Sequence, residues 1–162
     1  MHQLAQLNVA TMKAPLESPV MADFVAALER INALAEQAPG FVWRLKSDSG
    51  DATDFRPLGD QVLVNLSVWA DVGSLANYVY RGGHVEIMRR RREWFDRMDA
   101  GHMVLWWIEA GHIPTVDEAI DRLQRLRAAG PSPWAFSFGA AYGPPGSDAH
   151  AAPFRIGAAP SA

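Results

Sequence analysis

The chain has 162 residues, 49% of them hydrophobic and 20% charged, which is the size and make-up of one packed domain. A net charge of -3 gives no basic field for nucleic acid, and with no cysteine there is neither a disulfide nor a thiolate metal site. The N-terminus MHQLAQLNVA lacks the basic stretch and apolar run of a signal peptide, and no segment reaches the ~18 apolar residues of a membrane helix, so a cytoplasmic protein with no membrane partner is expected.

Leu4 to Ala10 alternates as a strand does, with Ala5, Leu7 and Val9 on one face and Leu4, Gln6 and Asn8 on the other. Ser18-Pro19 is a helix start, and Phe24, Leu28, Ile31 and Ala35 recur at helical spacing until Pro39-Gly40 stops them. Phe41 to Lys46 reads as a short strand, and the polar run SDSGDATDFRPLGD from Ser47 as a long hairpin connection. Gln61 to Trp69 is the clearest strand, with Val62, Val64, Leu66 and Val68 on one face and Leu63, Asn65, Ser67 and Trp69 on the other. Asp71 caps a short helix that Gly82-Gly83 breaks, and a second helix runs from about His84 to Met98. Met103 to Glu109 is the fourth strand, with Trp106 and Trp107 on opposite faces. TVDE at Thr115 to Glu118 is a capping box opening a helix that Gly130-Pro131 closes, and Ala135 to Phe138 is a candidate last strand.

The core of this order is β-α-β-β-α-β. It predicts an α+β domain with a ferredoxin-like four-stranded antiparallel sheet and helices on one face, spanning residues 1–142. A domain this small has no second layer of helices for the other face, so a partner subunit is expected to cover it in a homodimer. The Pro/Gly/Ala-rich segment 143–162 is expected to be a disordered or loosely attached tail.

Two groups of residues could carry chemistry. On the helix from His84, steps of four and three put His84, Met88, Arg91, Phe95 and Met98 on one stripe, so two polar groups interrupt an apolar face. Either that face borders a wet cavity, or both groups are paired within the fold. On the sheet, the first and third strands are central neighbours, which sets Asn8 beside Asn65 on a face shared with Gln6, Arg44, Ser67 and Trp69. Amides there suit either a polar ligand in an apolar pocket or a polar seam between subunits. The six tryptophans include Trp43, Trp69 and Trp94, which serve equally as core filler or as walls for a flat ligand. Arg89 to Arg92 reads as a solvated helix face paired with Glu86, Glu93 and Asp96. There is no P-loop, dinucleotide fingerprint, nucleophile elbow or metal-spaced cluster.

Three stretches carry a resemblance: LAQLNVATMKAPLESPVMADFVAALERINALAEQAPGFVWRL, NLSVWADVGSLANYVYRGGHVEIMRRRREWFDRM, and MVLWWIEAGHIPTVDEAIDRLQRLRAAGPSPWAFSF. Up to about Phe138 the chain resembles an uncharacterised bacterial domain-of-unknown-function family (3291) of the dimeric α+β barrel superfamily. Wider relatives there include antibiotic-biosynthesis and haem-degrading monooxygenases, chlorite dismutase, dye-decolourising peroxidases and muconolactone isomerase-like proteins. The haem-degrading relatives imply catalytic roles for Asn8 and Trp69 and haem ligation by His84, although the fifteen-residue separation of Trp69 and His84 is longer than that family leads one to expect. The cofactor-free relatives imply that Asn8, Trp69, Arg44 and His84 hold a phenol beside oxygen.

The expected function is therefore a small-molecule oxidoreductase of monooxygenase type acting on an aromatic or polyketide-like compound, with no cofactor or with haem. His84 would be base or haem ligand, and Asn8 and Asn65 would orient a carbonyl or phenolate. Trp43, Trp69 and Trp94 would form walls beside Met88 and Phe95, and Arg44 or Arg91 would offset negative charge. The alternatives are a lyase, isomerase or cyclase using His84 as base, or a non-catalytic small-molecule-binding protein.

Overall fold

The computed structural model describes residues 1–82, 84–98 and 101–156. Four strands, β1 (His2–Thr11), β2 (Phe41–Arg44), β3 (Val62–Trp69) and β4 (Met103–Glu109), form one antiparallel sheet in the order β2-β3-β1-β4. That order, with α1 (Ala22–Gln37) between β1 and β2 and the pair α2 (Val72–Arg81) and α3 (His84–Trp94) between β3 and β4, is the ferredoxin-like arrangement. A fourth helix, α4 (Val116–Ala129), follows β4. No helix among the described residues is long and apolar enough to cross a membrane.

Local chemistry sets these boundaries. Ser18 caps a 3-10 turn at Pro19–Met21 that leads into α1, and the Asp71 carboxylate accepts from the Ser74 amide at the start of α2. Thr115 accepts from the Glu118 amide at the start of α4, but the Glu118 carboxylate does not complete a capping box. It instead accepts from Trp106 Nε1 at 2.9 Å and lies 2.8 Å from His112 Nε2, which pins the first turn of α4 onto β4. Burial works against charge on Glu118, yet the hydrogen bonds from His112 and Trp106 outweigh it and hold the carboxyl below its ordinary range. Gly130, at φ 77°, ends the helix in a conformation other residues avoid.

Both faces of the sheet are covered by the chain itself. One face, with Ala5, Leu7, Val9, Val64, Leu66, Val68, Val104, Trp106 and Ile108, is buried beneath Ala119 and Leu123 of α4 and flanked by Leu45, Phe55 and Leu58 of the long connection before β3. The covering role expected of a partner subunit is thus taken by α4, because this helix lies outside the β-α-β-β-α-β unit and folds back across β1 and β4. On the other face, Leu4, Trp69 and Leu105 pack with α2 and with Phe136, Phe138 and Ala141, while Leu63 and Met12 pack with Met21 and Trp94 at the opposite end.

The tail needs correction as well. Residues 143–156 are packed rather than loose: Ala141 and Phe154 exchange two backbone bonds of 2.7 Å, the Ile156 amide donates to Phe138, and the His150 ring lies 3.0 Å from the Gly143 carbonyl oxygen. Gly143 permits this, since a Cβ there would lie 2.5 Å from Ser147 Oγ. The polar, glycine-rich composition hid an order that rests on backbone pairing. The rest of the expected tail, 157–162, lies outside the described residues. The candidate last strand at Ala135 to Phe138 meets the sheet through a two-bond bridge between Phe136 and Leu105 on the outer edge of β4, and Ala135 and Ser137 bridge to Ser132 and Ala140 in flanking turns.

Candidate functional site

Helix α1 has an apolar stripe and yet no fully buried residue, and α3 buries only Trp94. The reason is a cavity of about 150 Å³ between these helices and the sheet, with Phe24, Leu28 and Ile31 from α1 on one wall and Ile87, Met88 and Phe95 from α3 and its end on another. Asn65, in the middle of an inner strand, is exposed for the same reason: the helices stand apart above it.

The floor is the amide pair. Asn8 and Asn65 are direct partners in the antiparallel register of β1 and β3, and both line the cavity. Beside them Gln6 Nε2 donates to Ser67 Oγ at 3.0 Å and to Asn65 Oδ1 at 3.3 Å, and Trp69 Nε1 donates to the same Ser67 Oγ at 2.9 Å. This buried polar network holds Asn65 in place.

A bulge decides which residues of β2 join the floor. Phe41 pairs with Trp69 but Trp43 pairs with Val68, leaving Val42 as the extra residue. Arg44 therefore lies opposite Ser67 and lines the cavity, whereas Trp43 turns to the face under α4. Arg44 is already engaged, with Nε 2.8 Å from Glu36 Oε1 and Nη2 donating to the Gly50 carbonyl.

His84 opens α3 and lines the cavity, and its Nδ1 is buried with no hydrogen-bond partner among the described residues. Such an exception among buried polar groups calls for a functional or structural reason. Burial pushes the imidazole pKa down, a backbone contact at Val79 opposes this, and the Arg91 charge adds to the lowering, so the ring is neutral near pH 7. Arg91, also on the wall, approaches His102 Nε2 at 3.5 Å, and the His102 ring is likewise held below its ordinary pKa by burial, Arg91 and Arg127.

Of the ten residues the sequence singled out, seven meet here: Asn8, Asn65, Arg44, His84, Met88, Arg91 and Phe95. The three tryptophans do not line the cavity. Trp94 is buried with Met12, Met21 and Leu63 and carries the Arg90 guanidinium 4.9 Å above its ring. Arg90 pairs with Glu93, as the helix spacing implied, and also with Asp23 of α1, ahead of which the sequence offers no signal. Trp69 is 1% exposed and reaches the site through its bond to Ser67 and through a stack: its ring lies 5.1 Å from Tyr78, and Tyr78 lies 5.2 Å from His84. Sequence reasoning missed Tyr78, whose hydroxyl donates to the Ile31 carbonyl and whose pKa burial pushes up to about 12. It also missed the α1 wall, although the stripe Phe24, Leu28, Ile31 was visible as a helix face.

Haem does not fit this cavity. A volume of about 150 Å³ is that of a cavity holding a single benzene ring. A porphyrin would have to part α1 from α3, whose side chains form the walls. Among the described residues no group of three His, Asp or Glu is placed to hold a metal ion.

No functionally curated protein matches the chain. Among solved structures, SnoaB, a cofactor-independent oxygenase from Streptomyces nogalater, is 17% identical over 70% of this chain and 97% of that one, with a TM-score of 0.47. A protein of unknown function from Nitrosomonas europaea is 18% identical over 71% of this chain and 97% of its own, with a TM-score of 0.43. A dabb family protein with a ferredoxin-like fold from Mesorhizobium loti is 15% identical over 70% and 98%, with a TM-score of 0.41. At residues 3–152 the chain matches the model of one family, and it belongs to that family, described as a domain of unknown function (DUF3291).

Proposed function

We propose that the cavity is the active site of a cofactor-independent, monooxygenase-type enzyme acting on an aromatic compound with an acidic C–H or O–H, and that His84 is its base. The observation that carries this reading is the meeting of an imidazole with two side-chain amides on the walls of one cavity. A neutral His84 accepts a proton without first shedding one. The anion left behind is an enolate or phenolate, and the N–H groups of Asn8 and Asn65 are donors for its oxygen. When the acidic carbon carries at least two hydrogens, addition of O2 gives a hydroperoxide that loses water. One O2 is consumed, and one carbonyl and one water form, so no outside reductant enters the balance.

Two measurements on 2-hydroxyacetophenone and related hydroxyaryl ketones test the reading: deuterium uptake at the acidic carbon in D2O, and oxygen consumption. Wild-type protein is expected to show both, and His84→Gln to lower both by roughly 10²–10⁴-fold. Exchange without oxygen uptake would convert the assignment to an isomerase, lyase or cyclase using the same base. Ligand binding without either would make the protein a binder, and exchange unaffected by His84→Gln would remove His84 from the chemistry.

A further inference from the structure

Resting on the reading of this cavity as a small-molecule site, we propose that its ligands are single-ring compounds bearing an ionised carboxylate, with Arg91 as the group that holds the charge. Size and charge argue for this separately. The cavity of about 150 Å³ matches one six-membered ring, and Phe24, Leu28, Ile87 and Phe95 are suited to grip the faces of such a ring.

Charge follows from which cations are already neutralised. Arg44 is paired with Glu36, and Arg90 with Asp23 and Glu93. The carboxylate of Asp51, which also lines the cavity, is occupied by the Thr53 amide at 2.8 Å and the Thr53 hydroxyl at 2.5 Å. Arg91 differs: among the described residues its polar neighbour is the His102 ring, and no ion pair forms. A guanidinium set in an apolar wall gains most from an anion that enters with the ligand, and its planar fork fits a carboxylate edge-on. The amides of Asn8 and Asn65 then face the ring's hydroxyl or carbonyl oxygen across the cavity.

Three probes separate the parts of the claim: salicylate, its neutral counterpart salicylamide, and the two-ring 3-hydroxy-2-naphthoate. Each is titrated at pH 7 while the side-chain amide resonances of Asn8 and Asn65 are followed. Salicylate is expected to bind at least about tenfold more tightly than either of the others. Arg91→Gln should erase its advantage over salicylamide without weakening salicylamide, and Arg91→Lys should keep part of it. Equal affinity of salicylate and salicylamide, an unchanged preference in Arg91→Gln, tighter binding of the naphthoate, or no shift at either asparagine would each overturn the proposal. A charge preference with no deuterium exchange leaves this ligand class standing and refutes the chemistry. Exchange on neutral ketones with no charge preference does the reverse.

Discussion

Replacing Ser67 with alanine should destabilise the domain far more than the loss of one hydroxyl on a strand implies. Ser67 is 5% exposed, and its Oγ accepts from two buried donors, Trp69 Nε1 and Gln6 Nε2. Gln6 retains the side-chain and backbone oxygens of Asn65 at 3.3 and 3.4 Å, so its loss is partial, about 0.5–1 kcal/mol. Among the described residues Trp69 Nε1 has no second acceptor, and its ring stacks on Tyr78, so its orphaned N–H costs about 1–3 kcal/mol. The sum is roughly 1.5–4 kcal/mol, or a fall in Tm of roughly 3–16 °C for a domain of this length. Urea unfolding of Ser67→Ala, Trp69→Phe and the double variant closes a cycle, read from midpoints at constant m. The double variant should cost at least about 1 kcal/mol less than the two single changes added together. A Ser67→Ala protein within about 0.5 kcal/mol of wild type, or strict additivity in the cycle, would refute the claim that one hydroxyl ties the tryptophan to the amide floor.

Two further outcomes are expected. The folded state holds the His84 and His102 pKa values below the ordinary imidazole value, so the unfolded chain binds more protons as pH drops; stability should be full above about pH 6.5 and decline below it. His84→Phe should make that decline shallower between pH 7.5 and 5.5, and an unchanged slope would show that the imidazole is not buried neutral. A chain ending at Tyr142 should lose roughly 1–3 kcal/mol in urea, since it forfeits the paired backbone of Phe154 and the packing of Ile156; no loss would mean that the segment is as loose as its composition implies.

The sheet was legible because alternation fixes faces. Val62 to Trp69 could be assigned side by side with Leu4 to Ala10, which puts Asn8 and Asn65 on one face, and the register makes them direct partners. The stripe from His84 to Phe95 was legible for the same reason, at helical period. What stayed hidden depended on an insertion or on distance in the chain. One extra residue at Val42 sends Phe41 and Trp43 to opposite faces of the sheet, and no pattern in a four-residue strand announces it. Trp69 ends a strand on the side of the amides, but α2 closes over that end and seals the indole from the cavity. Tyr78 enters only because α2 and α3 are separate helices, which brings its ring against His84. The packing of 143–156 rests on backbone pairing between residues of no distinctive type, which composition does not record.

The position of α4 bears on how copies of this protein can meet. With Ala119 and Leu123 seated over Ala5, Leu7 and Trp106, the surface that would join two such sheets back to back is already occupied from within. Any self-association that leaves this helix in place must draw on the rims or the outer helices instead. A pairing through the sheet itself would first require the chain to release Glu118 from Trp106 and swing its own helix aside.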